Sequence, residues 1–330
     1  MITIAGYTVG TELGRGGMSV VYEAVHEMLK TRHAVKVLDV QAGSETGKTL
    51  AAKFLAEARI LATLRHPNII RVTDFGTFAD GRAYFVMDHI TGGSLAERLA
   101  TGKPPTPATV RIWYAELRSA LALCHQHGIV HGDIKPENVL INGDGRLILS
   151  DFGIARLTDH TFRADLDLET ATLPGNFGTP YTLAPECRCG KKASPAADVY
   201  SFGVLLFKCL TGLWFEGSPR LLREIDAAFP EWSPLLRKML AREPGNRFTS
   251  ACDLPNAAPD EATKAGATTV TSPEPTATSP HRHNFRRTIR KWSIGAVATI
   301  SILTIINYIW KCLYLFSRHG GFPDGLPSFF

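Results

Sequence analysis

Short apolar and β-branched runs, separated by glycines, dominate the chain from Tyr7 to Val40. Such runs predict the strands of a small sheet. Residues 53–64 then repeat apolar side chains at spacings of three and four and stop before His66-Pro67, which predicts one amphipathic helix. The apolar positions of that helix are Phe54, Ala58, Leu61 and Leu64. The first part of the chain is therefore predicted to be a sheet crossed by a single helix.

Helical periodicity replaces strand patterns after the apolar run Ala83–His89, which predicts a buried strand, and the break at Gly92-Gly93. A long helix with one apolar face is predicted to stop at Gly128. That face consists of Val110, Trp113, Leu117, Leu121 and Cys124. Residues 198–210 are apolar almost all round, which is typical of a helix buried at a domain centre. The second part of the folded chain is therefore predicted to be mainly helical.

The composition changes after Asp253. Residues 254–280 are rich in Pro, Ala, Thr and Ser and cannot bury enough apolar surface to pack, which predicts a flexible linker. A basic segment follows at 281–292, then a predicted transmembrane helix at 293–316 and a short tail at 317–330. The predicted span opens with 18 residues that carry no charge, and at ~1.5 Å rise per residue they cover roughly 27 Å, close to the ~30 Å hydrocarbon core.

Asn307 and Lys311 interrupt this apolar run, so a buried amphipathic helix is the alternative interpretation. Lys311 lies near the far end, where its long side chain could reach the membrane interface. Arg and Lys are more numerous before the run than after it, which predicts that the N-terminal side faces the cytoplasm. We therefore expect a single-pass protein of the cell (inner) membrane with its folded domain in the cytoplasm.

Charge and cysteine content exclude two other classes of protein. Much of the excess in the formal net charge of +5 lies in residues 281–291, beside the apolar run, so no nucleic acid partner is expected. The six cysteines form no Cys-x-x-Cys pair, which argues against a zinc site and for a reducing compartment. The N-terminus also lacks the pattern of a secretory signal.

Two features of the predicted sheet could serve phosphate chemistry. Gly14, Gly16 and Gly17 lie between two strands, where missing side chains let backbone N–H groups approach phosphate oxygens. The alternative is a glycine-rich hairpin that is only a turn. Lys36 lies in an apolar strand, where a lysine is costly without a partner, and Glu57 on the following helix could be that partner. Alternatively, Lys36 is a charge on an edge strand that discourages aggregation.

Two polar motifs complete the pattern: His131–Asn138 after the long helix, and Ser150–Gly153 after an apolar strand. With these motifs the chain resembles a eukaryotic-type serine/threonine protein kinase of the kind also found in bacteria (Hanks-type). The segments that carry the resemblance occur in family order: the glycine-rich loop, AVKVL, HGDIKPEN, DFG, Gly178–Pro180 through Ala184–Glu186, and DVYSFG. The resemblance covers residues 7–253, which are the predicted kinase domain.

The resemblance implies an α+β, two-lobed kinase fold. A small antiparallel β lobe with one helix would extend to about Met87, and a larger, mainly helical lobe would follow. It also implies ATP-dependent phosphorylation of serine or threonine hydroxyls on protein substrates. Mg²⁺ is the expected metal, with Mn²⁺ as a possible substitute. ATP would bind between the lobes.

Residue roles follow by similarity. Lys36 would contact the α- and β-phosphates and pair with Glu57, while Asn138 and Asp151 would hold the metal ions. In relatives, the position of Asp133 accepts or orients the proton of the substrate hydroxyl. In the same way Lys135 would neutralise charge on the transferred phosphoryl group, and its position after Asp133 is typical of serine/threonine kinases. The residues similar to the adenine pocket are Val21, Ala34 and Leu140, the gatekeeper Met87, and the hinge residues Asp88 to Ile90.

Other similarities concern structural support and regulation. Leu61, His131 and Phe152 resemble the stack that aligns the lobes and rests on Asp198, and Glu186 with Arg247 resembles a buried ion pair under the activation segment. Gly132 departs from the family, because most relatives carry arginine there to meet a loop phosphate. We therefore expect activity that does not require loop phosphorylation. Ser19 replaces the third glycine of the loop, and Tyr181 lies one place earlier than the usual tyrosine.

Two rival functions remain at this point. Ala42–Thr49 resembles a relaxed Walker A loop, which would indicate a P-loop hydrolase, although it lies between Lys36 and Glu57 as an ordinary connection. The other rival is a catalytically weak kinase-fold scaffold that binds nucleotide. The complete set of catalytic residues argues against the scaffold. Expected partners are protein substrates and the membrane, and a second copy of the chain is a possible partner for autophosphorylation.

Overall fold

The computed structural model describes residues 3–16, 18–39, 45–152, 156–157 and 181–259. They form two lobes that are joined after the fifth strand.

An antiparallel sheet forms the first lobe, and within the described residues it has five strands. They are β1 (Tyr7–Arg15), β2 (Ser19–His26), β3 (Arg32–Leu38), β4 (Val72–Thr77) and β5 (Ala83–Asp88). Their order across the sheet is β1-β2-β3-β5-β4, with antiparallel pairing throughout. β3 is therefore an inner strand, paired on one side with β2 and on the other with β5. The predicted small sheet is confirmed.

Helix α1 (Glu45–Thr63) connects β3 to the outer part of the sheet. The side chains of Phe54, Ala58 and Leu61 are buried, as the spacing predicted. The helix begins earlier than the predicted residue 53, because Leu50 extends its buried face towards the N-terminus. The polar residues before Leu50 carry no apolar signal, so periodicity alone does not detect this extension.

The second lobe is mainly helical. Its helices are α2 (Leu95–Ala100), α3 (Pro107–Gln126), α4 (Pro185–Arg188), α5 (Pro195–Thr211), α6 (Pro219–Ala228) and α7 (Ser233–Met239). Short 3₁₀ turns occur at Pro136–Asn138, Pro244–Asn246 and Ala251–Asp253. Two small antiparallel pairs lie under the first lobe: β6 (Ile129–Val130) with β9 (Arg156–Leu157), and β7 (Val139–Ile141) with β8 (Leu147–Leu149).

The two long helices of this lobe have clear sequence causes. The Thr106 side chain accepts a hydrogen bond from the Thr109 N–H at the start of α3, with Pro107 in the first turn. The predicted apolar face of α3 is buried from Val110 to Cys124. Helix α5 is capped by Ser194 and ends at Gly212 in the left-handed region, and its side chains are buried almost all round. Both helix predictions are confirmed.

The residues just after Asp253 lie against α3. Leu254 is buried, the Tyr114 hydroxyl donates to the Pro255 carbonyl at 2.8 Å, and Arg111 Nε donates to the Pro259 carbonyl at 2.9 Å. The linker predicted from residue 254 thus begins with residues 254–259 attached to the second lobe. Its remainder lies outside the described residues, as do the basic segment, the predicted span at 293–316 and the tail.

Within the described parts of the chain, no helix combines the length and the apolar character of a membrane span. This leaves the anchor predicted at 293–316 untested.

The link between the lobes contains a close backbone approach that predicts a stability effect. A Cβ at Gly92 would lie 2.2 Å from the Ile141 carbonyl oxygen. That segment is fixed because the Ile141 N–H donates to the Gly93 carbonyl at 2.9 Å. We expect Gly92→Ala to lower the free energy of unfolding by about 2–3 kcal/mol, as overpacking does. Urea unfolding followed by tryptophan fluorescence measures the change.

Gly143→Ala is the matched control, since a Cβ there meets nothing within 4 Å. It should change the unfolding free energy by less than about 0.5 kcal/mol. Equal effects of the two substitutions would contradict the steric explanation.

Candidate active site

A cleft of about 1020 Å³ lies between the lobes. The glycine-rich hairpin and β3 border it from the first lobe, and the loops after β6 and β8 border it from the second. The predicted site residues that line it are Gly14, Gly16, Val21, Ala34, Lys36, Glu57, Met87, Asp88, Ile90, Asp133, Lys135, Asn138, Leu140 and Asp151. Gly17 lies outside the described residues. Motifs far apart in sequence thus meet in one cleft, and Lys48 of the Walker-like segment is not among its lining residues.

Lys36 is buried at the back of the cleft between two carboxylates. Its Nζ donates to Asp151 Oδ1 at 2.7 Å and lies 4.0 Å from Glu57 Oε1. Lys36 pairs across the sheet with Val21 on one side and Phe85 on the other, so the edge-strand interpretation is wrong. The lysine is retained in the interior by its partners.

Burial and charge oppose each other in this cluster. Burial alone would lower the pKa of Lys36, but the carboxylates of Asp151 and Glu57 outweigh it and hold that pKa above its usual value. Burial would likewise raise the pKa of Asp151, yet the Lys36 ammonium keeps it below its usual value. Lys36 and Asp151 are therefore both charged near neutral pH and form an ion pair across the cleft.

Glu57 differs, because burial raises the pKa of its carboxyl to about 7 and Lys36 offsets only part of that rise. Its Oε1 is buried and has no hydrogen-bond partner among the described residues. Lys36 has its shorter contact with Asp151, which leaves Glu57 the more weakly paired of the two carboxylates.

Asp133 is held by hydrogen bonds from two residues on the floor of the cleft. Lys135 Nζ donates to Asp133 Oδ2 at 2.7 Å, and Asn138 Nδ2 donates to the same carboxylate oxygen at 2.8 Å. Asn138 Nδ2 also donates to the Asp133 carbonyl at 2.8 Å and reaches the Asp151 carbonyl at 3.4 Å. The residues of the two polar motifs therefore form one hydrogen-bonded group.

The loop that carries Asp133 is anchored by the buried carboxylate of Asp198 on α5. Asp198 accepts the N–H groups of His131 and Gly132, each at 2.8 Å. Asp198 also lies 3.1 Å from Nε2 of His125, a residue that the sequence gave no reason to select. The His131 ring packs on Phe152 with centroids 4.5 Å apart. The predicted support of His131 and Phe152 by Asp198 is present, and Leu61 is buried as expected.

Asp151 has a backbone φ of +50°, in the left-handed region that few residues other than glycine adopt. Such a conformation costs roughly 1–2 kcal/mol and persists only where surrounding contacts fix it. The preceding Ser150 supplies those contacts: its N–H and its hydroxyl both donate to the Asn138 carbonyl, and its own carbonyl accepts from His131 Nε2 at 3.1 Å. In this backbone conformation the Asp151 carboxylate accepts a hydrogen bond from Lys36 Nζ at 2.7 Å.

The predicted ion pair between Glu186 and Arg247 is present. Two guanidinium nitrogens of Arg247 donate to the two carboxylate oxygens of Glu186, at 2.7 and 2.8 Å. Burial would raise the pKa of Glu186, but the hydrogen bonds from Arg247 hold it below its usual value. Arg247 also donates to the Ala241 and Arg242 carbonyls, so the pair fixes α4 to the end of the second lobe.

Comparison with known proteins agrees with this geometry. Residues 7–257 match the family described as the protein kinase domain. The chain belongs to the protein kinase family. The two-lobed α+β kinase fold expected from the sequence is thereby confirmed.

Three of the similar kinases are bacterial proteins of greater length. The chain is 35% identical over 265 residues to the serine/threonine-protein kinase pkn2 of Myxococcus xanthus, covering 74% of this chain and 31% of that protein. It is 33% identical over 275 residues to the serine/threonine-protein kinase PknJ of Mycobacterium tuberculosis, covering 77% and 45%. It is 35% identical over 213 residues to the probable serine/threonine-protein kinase PknB of Lactococcus lactis, covering 64% and 32%. The chain spans less than half the length of these curated relatives.

The residues of this kinase fit a nucleotide and a divalent metal. Gly14 lies within β1, has no left-handed backbone, and a Cβ there would meet nothing within 4 Å. Neither a turn nor packing within the described protein requires glycine at this position, so the turn-only interpretation does not account for it. A bare backbone edge bordering the cleft suits close approach of a phosphate.

The metal donors would be Asp151 and the amide oxygen of Asn138, which are the oxygen ligands Mg²⁺ prefers. The described residues contain no group of three or more His, Cys, Asp or Glu side chains that could hold a metal alone. Proteins usually bind Mg²⁺ through one or two side chains, and phosphate oxygens and water complete its coordination. A site with two protein ligands therefore suits Mg²⁺.

The raised pKa of Glu57 predicts a pH effect on kinase stability. Well below pH 4.5 the carboxyl is protonated in both the folded and the unfolded state. As pH rises towards 7, the unfolded state loses this proton first, so the contribution of Glu57 to folding falls and stays low above pH 7. We expect Glu57→Gln to remove this decrease in the free energy of unfolding, because the amide does not ionise. The variant should gain about 1–3 kcal/mol of unfolding free energy relative to wild type between pH 5 and pH 8.

Urea unfolding of both proteins at the two pH values tests this expectation. Parallel pH dependence in wild type and Glu57→Gln would show that the carboxyl titrates normally.

Proposed function

We propose that this kinase transfers the γ-phosphoryl group of ATP to serine or threonine hydroxyls of protein substrates, with Mg²⁺, or Mn²⁺ in its place. The proposal rests on the convergence of the Lys36–Asp151 ion pair and the Lys135–Asp133–Asn138 group in one cleft. In the reaction, a bond forms between the substrate oxygen and the γ-phosphorus. The bond from that phosphorus to the β–γ bridging oxygen breaks, which releases ADP.

Each residue then has a task that its surroundings support. The carboxylate of Asp133 accepts the proton of the hydroxyl, and a hydrogen bond from Asn138 holds that carboxylate in place. Lys135 is a cation fixed beside Asp133, where it balances charge on the moving phosphoryl group. Lys36 binds the α- and β-phosphates. Bound metal supplies electrostatic stabilisation of the phosphate oxygens, and Asn138 and Asp151 would hold it.

The adenine base would lie between Val21 and Ala34 from the first lobe and Leu140 from the second. All three line the cleft, as does Met87. Asp88 and Ile90 would offer backbone groups to the base, because they lie at the link between the lobes.

Substitution of the phosphate and metal residues tests the proposal. Lys36→Met and Asp151→Asn should each lower kcat by at least about a thousandfold, since each removes charge needed in the transition state. Lys48→Ala should change kcat by less than about twofold. The measurement is transfer from radiolabelled ATP to a generic protein substrate by the full-length protein, followed by phosphoamino-acid analysis.

Three outcomes would change the assignment. Activity that survives Lys36→Met but not Lys48→Ala would support the P-loop hydrolase. Nucleotide binding without transfer by the wild-type protein would support the scaffold. Label on tyrosine would contradict the acceptor class.

We also propose that residues 293–316 anchor the kinase in the cell membrane by a single span, with residues 1–280 in the cytoplasm. The charge-free run and the basic segment 281–292 before it support this proposal. A reporter fused after Phe330 should be extracytoplasmic and one fused after Pro280 cytoplasmic. Recovery of the full-length protein in the soluble fraction without detergent would refute the anchor.

Gly132 supports a further part of the proposal, which concerns regulation. Gly132 has no side chain that could bind a loop phosphate, and its N–H already donates to Asp198. We therefore propose that activity does not require phosphorylation of the loop after Asp151, even where a dimer allows autophosphorylation there.

A further inference from the structure

The glycine-rich turn between β1 and β2 is tied to the end of β3. The Gly16 N–H donates to the Ser19 carbonyl at 2.8 Å and closes the turn. The N–H of Asp39, the first residue after β3, donates to the Met18 carbonyl at 2.8 Å. The arm of the turn that enters β2 is therefore held by the backbone of a residue outside the hairpin.

Arg15 ties the other arm of the turn to the same residue. Its Nη1 donates to Asp39 Oδ2 at 2.8 Å, while its Nη2 and Nε donate to the two carboxylate oxygens of Glu12 at 2.8 and 3.2 Å. These three residues, Glu12, Arg15 and Asp39, form the Arg15 cluster. Asp39 thus contacts both arms of the turn, one through its backbone and the other through its carboxylate.

Strand β1 is irregular where it supplies Glu12 to the Arg15 cluster. Side chains three residues apart on a regular strand point to opposite faces, so those of Glu12 and Arg15 would lie apart there. The pairing of β1 with β2 shifts register on both sides of Glu12, between Val9 and Glu12 and between Glu12 and Gly14. Such irregularities change the direction of a side chain and are common beside active sites. Here they allow the Glu12 carboxylate to reach Arg15.

The Arg15 cluster lies at the edge of the cleft. Among its members, which all belong to the described part of the chain, Arg15 lines the cleft and Glu12 and Asp39 do not. The three side chains are between 41% and 52% exposed, and a single ion pair at such a surface contributes little to stability. A guanidinium that binds one carboxylate with two nitrogens and a second carboxylate with a third is an exception, because its geometry is fixed and the pairs form a network.

We propose that the Arg15 cluster holds the glycine-rich turn in the position that receives the phosphates of ATP, so that Glu12, Arg15 and Asp39 are positioning residues for nucleotide binding. The inference rests on the proposed function, because it takes the phosphates at the turn to be those of ATP. Glycine loses more conformational freedom than any other residue when it is ordered. A turn that its own contacts order in advance loses less conformational entropy when the nucleotide binds.

Asp39→Asn separates this role from the effect of charge alone. Loss of a carboxylate beside the cleft makes the site more positive, so charge alone would strengthen the binding of anionic ATP. Loss of the contact with Arg15 frees one arm of the turn, so we expect the opposite sign, a Kd for the nucleotide about three to five times higher. Glu12→Gln should act in the same direction. Isothermal titration of the full-length protein with a non-hydrolysable ATP analogue and Mg²⁺ measures this Kd.

A double-mutant cycle tests whether Asp39 acts through Arg15. Arg15→Gln should raise Kd at least as much as Asp39→Asn, but adding Asp39→Asn to Arg15→Gln should raise it no further, because the contact is already lost. Asp39→Glu keeps the carboxylate and should keep most of the wild-type affinity. Glu27→Gln is the matched control, since it removes an exposed carboxylate after β2, at the end of that strand remote from the glycine-rich turn, and it should not raise Kd.

The outcomes separate this inference from the proposed function. If the wild-type protein binds the analogue and Asp39→Asn leaves Kd unchanged or lowers it, the positioning role is refuted and nucleotide binding stands. A further rise in Kd when Asp39→Asn is added to Arg15→Gln also refutes the positioning role, because Asp39 would then act without Arg15. A wild-type protein that does not bind the analogue refutes the proposed function, and the positioning role with it.

Discussion

The carboxylate of Asp198 is the interaction on which the active site depends. It is buried in the central helix α5 and accepts the N–H groups of His131 and Gly132, just before Asp133. A buried carboxylate without these donors would be costly, and the loop N–H groups without it would be unsatisfied. Each therefore requires the other. Because α5 is packed on nearly all sides, the position of the Asp133 backbone follows from the core of the second lobe.

A second interaction joins the lobes across the cleft. Lys36 belongs to an inner strand of the sheet, whereas Asp151 follows β8 in the helical lobe, and their side chains meet at 2.7 Å. Both side chains stay ionised, because Asp151 raises the pKa of Lys36 and Lys36 lowers the pKa of Asp151. Glu57 has only the longer contact with Lys36, so the position of α1 is coupled more loosely to the cleft. Phosphates that bind Lys36 would enter a site whose charge is already arranged.

Sequence reasoning found the residues whose signals are local and missed those whose roles depend on distant contacts. Lys36 and Glu57 could be paired because a lysine in an apolar strand requires a carboxylate nearby. His125 could not, since its contacts with Asp198 and the Ala251 N–H join segments far apart in the chain. The buried Glu116 accepts the Leu147 N–H at 2.8 Å, which is another contact between segments far apart in the chain. Periodicity predicts the helices, but buried polar contacts between distant segments can be found only in the three-dimensional structure.

Gly132 stands where most relatives carry arginine, and its backbone geometry shows why glycine suits this position. Its φ of +75° lies in the left-handed region, where a side chain is strained, and an added Cβ would make only an ordinary contact with Ala193. Glycine therefore removes strain from the loop without leaving a packing defect. The fixed point of this loop is the N–H of Gly132 on Asp198, which no side chain at position 132 provides. The loop consequently has a structural anchor that is independent of any charge at that position.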